Sequence, residues 1–196
     1  MAVTIPSFPA HQTQTLTLVT SAIDNTPQYS GPRQRVSRLG DRWKLDVVCR
    51  PLAYAQAVGV VAALVQGTSQ RVVVPVQQPG LTIGSPGNPV AATAASGGTT
   101  VSASGFSASY AVQPGQYFSL VHGGKRYLHI ITAATTATAG GAATLAIWPM
   151  LRTPLTAGDV LEFATPKIEG YLALSQAWSV GLAKSVGLTF VVEEAL

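Results

Sequence analysis

Charge is scarce in this chain. Asp, Glu, Lys and Arg make up 10% of its 196 residues, against about 25% in an ordinary soluble domain. A monomer in water needs charge on its outside. A chain that substitutes Ala, Thr, Ser and Gly is therefore expected to hide surface against copies or partners. Cysteine is almost missing: Cys49 stands alone, which excludes an internal disulfide and a Cys cluster for zinc. Within "LDVVC" it reads as a small buried hydrophobe. Long apolar runs are absent too. The longest, Pro51 to Val65, is broken by Gln56 and falls short of the roughly 20 residues of a membrane span. The opening "MAVTIPSFPAHQTQ" has neither a basic n-region nor an apolar h-region, so no cleaved secretion signal is expected. There is no nucleophile elbow, no P-loop and no pair of helical histidines.

What is present is 47% hydrophobic residues, enough for a substantial core, in a length that allows one large domain or two small ones. The net charge is +4, and Arg33, Arg35, Arg38, Arg42, Lys44 and Arg50 supply six of the twelve cations. No aromatic stacking platform accompanies them, and Asp41 and Asp46 interrupt the run. The window is therefore read as a solvated or subunit-facing patch rather than a nucleic-acid site. The eight carboxylates are scattered. Glu193 and Glu194 read as a solvated tail or subunit contact, and Asp159 as a turn residue bonding its own backbone.

The alternation in "TQTLTLVTSA" and again in "DRWKLDVVCR" predicts two half-buried strands, the second ending near Pro51. "PLAYAQAVGVVAALVQG" follows as a helix, with Pro51 in its first turn and Gly67 closing it. Being apolar on nearly every face, it must be covered on most sides. "RVVVPV" is a short strand whose Pro75 marks an edge or an end. After Val76 the composition turns to Pro, Gly and Ser, and turns then recur at the spacing of a small all-β barrel or sandwich. "GLTFVVEE", with a strand before it through Trp178 and Val180, makes a terminal hairpin that closes the first domain. The fold class is thus mainly β with one helix (α+β). A split domain covers residues 1–78 and 171–196, and a small β-barrel spanning 79–170 is inserted into it.

Within that barrel, "YFSLVHGGKRYLHIIT" holds two of the three histidines. Gly123 and Gly124 form a two-residue hairpin loop. His122 then pairs with Lys125 and Phe118 with His129, which places the imidazoles on one face about 13 Å apart. Zinc requires ligand nitrogens about 2 Å from one ion, so the stretch is a hairpin and no metal site is expected. No catalytic or cofactor-binding residue stands out either, and no enzyme activity is expected.

The order "GDRWKLDVVCRPL", helix, "RVVVPV", then "GQYFSLV", "YLHIIT" and "ATLAIWPMLRTPLTAGDVLEFATP" resembles tail-tip structural proteins of long-tailed bacteriophages and gene transfer agents, their distal tail proteins above all. The best motif is Pro149, Leu151 and Arg152 followed by Gly158, Asp159, Leu161, Phe163 and Pro166. The resemblance implies a ring-forming, β-sandwich-like domain completed by C-terminal strands, with an inserted barrel like an oligonucleotide/oligosaccharide-binding fold. It also implies a hexameric ring in the virion, assembled in the host cytoplasm, that joins the tail tube protein to the tip hub protein. No cofactor, catalytic residue or membrane contact comes with it. Arg33, Arg35, Arg38, Arg42 and Lys44 would then face a subunit contact, or a lumen through which DNA passes without sequence-specific binding. A tail tube or other minor tail protein is the nearest alternative. From other classes come a carbohydrate-binding barrel using Tyr117, Phe118, Tyr127 and Trp148, and a single-strand nucleic-acid binder with steep salt dependence.

Overall fold

A computed structural model describes residues 2–6, 12–173, 177–181 and 185–195. Strands β1 (Val3–Thr4), β2 (Gln12–Val19), β3 (Ile23–Asn25), β4 (Gln34–Val36) and β5 (Arg42–Ala53) precede helix α1 (Tyr54–Gly67) and strand β6 (Val72–Pro75). Next come β7 (Gly87–Ala91), β8 (Thr100–Phe106), β9 (Ala111–Val112), β10 (Tyr117–His122), β11 (Lys125–Ile131), β12 (Thr135–Thr136), β13 (Ala143–Trp148) and β14 (Val160–Glu162). The chain finishes with β15 (Lys167–Leu172), β16 (Ala177–Val180) and β17 (Ser185–Glu194).

The fold is mainly β with a single helix. One sheet runs β1-β6-β15-β17-β5-β2, with β16 beside β17, and a closed barrel runs β10-β11-β13-β8-β7-β14. The sheet draws strands from both flanks of the barrel sequence. The return comes earlier than residue 171, because Lys167 to Gly170 already pair with β6. Val76 N–H donates to Pro166 O at 2.8 Å, so the chain leaves and rejoins the sheet through adjacent strands.

Period-two alternation sets the sheet's two faces. On β5, Trp43, Leu45, Val47 and Cys49 are buried while Arg42, Lys44, Asp46, Val48 and Arg50 alternate on the other side. On β17, Val186, Leu188, Phe190, Val192 and Glu194 face the core. The terminal hairpin forms as expected, with Trp178 opposite Leu188.

Pro51 departs from expectation: β5 continues to Ala53 and the helix starts at Tyr54. Between the pairs Leu52↔Val186 and Cys49↔Leu188, two residues of β5, Arg50 and Pro51, oppose Gly187 alone. A proline's missing donor is harmless in such a bulge. Gly67 ends the helix, but by close packing: a Cβ there would lie 2.4 Å from Val72 Cγ1 and 2.7 Å from Leu172 Cδ1. The helix is also less covered than its composition suggests. Ala57, Val60, Ala63, Leu64 and Gly67 are buried, whereas Tyr54, Val58 and Val65 are about half exposed.

The β10–β11 hairpin has the expected register, Phe118↔His129, Leu120↔Tyr127 and His122↔Lys125. Its two faces serve two cores. Phe118, Leu120, Tyr127 and Ile131 enter the barrel, where Phe118 stacks on Phe163 at 4.8 Å. Leu128, Tyr117 and Ile130 pack into the sheet core, Tyr117 edge-on to Trp43 at 5.5 Å. Gly124 has φ +73° with open space where a Cβ would stand, so a side chain there meets only backbone strain. Gly124→Val should cost about 1–2 kcal/mol and Gly124→Asn much less, as read from urea midpoints.

The motif residues 149–166 divide the work of the barrel's end. Leu151, Leu161 and Phe163 fill its core, Gly158 takes φ +94° in a turn, and Asp159 accepts the Thr156 N–H at 2.6 Å.

Candidate functional site

The helix and the barrel hairpin both cover one face of the sheet; the other face carries the cations that the sequence singles out. Arg42 Nε donates to Glu193 Oε1 at 2.5 Å, and Lys44 Nζ lies 3.5 Å from Asp46. Tyr171, Val191 and Ala195 complete, with Arg42, Lys44 and Glu193, a shallow groove of about 530 Å³. Thr13, Thr15 and Thr17 of β2 are exposed, consistent with the polar positions of that strand's alternation. Opposite charges here are neighbours along β5 and across to β17, so the face is mixed rather than cationic.

Arg33, Arg35 and Arg38 sit elsewhere, on an arm that leaves the sheet after β2 and returns at β5. Its base is clamped by the buried Asp41, which accepts Ser21 N–H at 2.7 Å and the Thr20 hydroxyl at 3.1 Å. Beyond that clamp β3 and β4 pair Ile23↔Val36, Asp24↔Arg35 and Asn25↔Gln34. Asp24 takes hydrogen bonds from Arg35 (Nε at 2.8 Å, Nη2 at 3.0 Å) and from Arg33. These two guanidinium groups hold its carboxyl well below the usual range. Arg38 follows β4 and is exposed. The five candidate residues are thus not one patch: three belong to the arm and two to the sheet face.

Every one of the chain's eight carboxylates has a partner. Besides those above, Asp159 faces His122 Nδ1 at 2.8 Å, and Glu162 pairs with Arg126 and Lys167. Glu169 pairs with Arg71 and accepts Arg126 N–H. Glu194, read from sequence as a solvated tail or subunit contact, is instead 3% exposed within the single chain. It accepts Leu128 N–H at 2.7 Å and Trp43 N–H at 3.1 Å, and lies 2.7 Å from Arg152 Nη2. Burial pushes its carboxyl above the ordinary range, against the pull of Arg152 and the two amides. Arg152 also covers the Tyr127 ring at 5.6 Å, while its Nε and Nη1 find no hydrogen-bond partner. One carboxylate therefore ties the sheet to the barrel. No cue within "FVVEEAL" identifies it, because its partners lie 42, 66 and 151 residues away.

The histidines are used separately. His129 is buried and its Nδ1–H donates to Pro149 O at 2.9 Å, whereas His122, at the half-exposed end of the strand, faces Asp159. Among the described residues no group of three or more His, Cys, Asp and Glu could hold a metal ion. Burial, helped by the charge of Arg152, lowers His129 from 6.5 to about 3. The folded state thus refuses a proton that the unfolded chain accepts. The stability this supplies is complete above pH 6.5 and is lost as the pH falls toward 3. Unfolding midpoints should drop between pH 7 and 5, and His129→Gln should flatten that slope.

Of the four rings a sugar platform would use, Phe118 is fully buried and Tyr127 is 7% exposed, whereas Tyr117 and Trp148 are half-buried. Among the described residues no helix is long and apolar enough to cross a membrane. No protein-family model matches the chain, and no curated protein matches it.

Proposed function

We propose that the protein is a structural component of a phage-type tail, a distal tail ring that links the tail tube protein to the tip hub protein. It works by geometry and not by catalysis, as a homo-oligomer, the resemblance implying six copies around a lumen wide enough for DNA. Its place is the virion, after assembly in the host cytoplasm. The observation that carries this reading is the surface of the single chain: a hairpin arm exposing Ile23, Tyr29, Val36 and Leu39, and a stretch of α1 and β16 exposing Tyr54, Val58, Trp178 and Val180, stand outside a well-packed two-part core. Such exposed apolar surface in a chain with 10% charged residues favours permanent contact with copies or neighbours. The paired carboxylates support a role in holding shape, since Glu193 and Glu194 tie strand to strand and sheet to barrel.

Sedimentation and electron microscopy of the purified protein test the reading. A closed ring is expected, at least at high concentration or beside its neighbours. A strictly monomeric chain with no place in a tail would overturn it. Replacing Arg35, Arg38 and Arg42 together with Glu should impair assembly. Because Arg35 and Arg42 also lose their pairs with Asp24 and Glu193, Arg38→Glu alone is the control in which the fold stays intact by circular dichroism.

A further inference from the structure

We propose that the β3–β4 arm docks onto a second copy of this chain, seating its apolar face in the groove between α1 and β16 of that neighbour. This deepens the ring reading and rests on it for closure of the assembly.

The arm is ordered but buries nothing. Residues 23–39 are seventeen consecutive exposed positions, although the Asp41 clamp, the ladder and the Asp24 pairs hold them in one shape. A two-stranded hairpin is marginal in water unless something covers it. Seventeen residues approach the roughly 20–30 that each side contributes to a standard interface.

The chemistry of the arm selects the kind of partner. Ile23 and Val36 are a cross-strand pair, so they share one face of the hairpin, and the neighbouring pair Asp24 and Arg35 takes the other. Leu39 and Tyr29 add apolar surface, 60% and 86% exposed. Asp24 binds Arg33 and Arg35, yet three arginines against one carboxylate leave the arm at +2. The apolar pair with Leu39 and Tyr29 is therefore what selects a protein partner, and duplex DNA is kept as an outcome of the test.

This chain carries a surface to match. Tyr54, Val58, Val61, Trp178 and Val180 line a groove of about 270 Å³ with no charged residue among the described ones. Of the twelve exposed large hydrophobic residues among the described ones, nine lie either on the arm or on α1 and β16. Arm and groove sit at opposite ends of β5, whose twelve residues span roughly 35–40 Å. A chain therefore does not fill its own groove with its arm, and two copies placed side by side do. The contact is head-to-tail, the kind that closes into a ring when the rotation allows.

The test is disulfide trapping in the full chain, with wild type, whose Cys49 is buried, as background. Val36→Cys on the arm and Val58→Cys on the helix are mixed under mild oxidation. Cross-linked dimer should appear several-fold above the mixture of Val36→Cys with Val160→Cys, a barrel position of similar exposure. A second variant replaces residues 23–38 with a short Gly-Ser turn. It should keep its circular dichroism and lose self-association in sedimentation. If oligomers form but the trap is no better than the barrel control, or the armless chain still assembles, the docking is wrong and the ring reading stands. If the intact chain never self-associates, both fall. Loss of duplex DNA binding in the armless chain, with assembly unchanged, also overturns the docking and makes the arm a nucleic-acid element.

Discussion

Glu194→Ala should lower folding stability by about 3–5 kcal/mol, the usual cost of stripping one partner from a buried ion pair. The loss has three parts. The Leu128 and Trp43 N–H groups lose their acceptor, and buried donors left unpaired cost about 1–3 kcal/mol each. Arg152, with Nε and Nη1 already unbonded, keeps only the Tyr127 ring. The third part is geometric, since the same carboxylate holds the barrel against the sheet. Arg152→Leu combined with Glu194→Leu should recover only the part owed to the stranded guanidinium, because the Leu128 and Trp43 N–H groups still lack an acceptor. Urea unfolding of the two variants measures the difference. A loss under about 1 kcal/mol in Glu194→Ala, the range of an exposed pair, would show that the carboxylate is not buried at that joint.

Phe118→Ala should cost about as much, roughly 3–5 kcal/mol. The ring is fully buried, stacked on Phe163 at 4.8 Å and against His129 at 5.7 Å, so its removal leaves a cavity that rigid strands cannot close. For a chain of this size that is a fall in Tm of roughly 10–15 °C. The hairpin's other face, through Leu128 and Ile130, stays in the sheet core. The variant is therefore expected to weaken both units in one transition rather than melt the barrel alone. Calorimetry decides: a separate low-temperature transition would mean that the two cores are not coupled through the hairpin.

Much of the architecture was legible because its signals are local. Alternation through Trp43, Leu45 and Val47 requires only that one side of a strand be dry. Gly123 and Gly124 set the hairpin register by supplying the positive φ that a two-residue loop demands, and the face assignments of Phe118, Leu120, Leu128 and Ile130 follow from that register. Pro51 misled because a proline suits either a first helical turn or a bulge. Which one it occupies depends on a partner strand more than a hundred residues away, where Val186 and Leu188 pair around it.

The candidate contact residues divide along the same line. Sequence by itself determined the scarcity of charge, the single helix, the β character, the hairpin and the clustering of cations between Arg33 and Arg50, since each is a property of neighbouring residues. Only the tertiary structure decided that the cluster splits. Asp24 claims Arg33 and Arg35 on an arm, and Glu193, 151 residues from Arg42, claims that side chain on the sheet. It likewise decided that Glu194 is a buried joint and that α1 keeps an apolar face open. The physical reason is that ion pairing and burial depend on distance in space, and the strand pairing that sets those distances joins residues the chain itself keeps far apart.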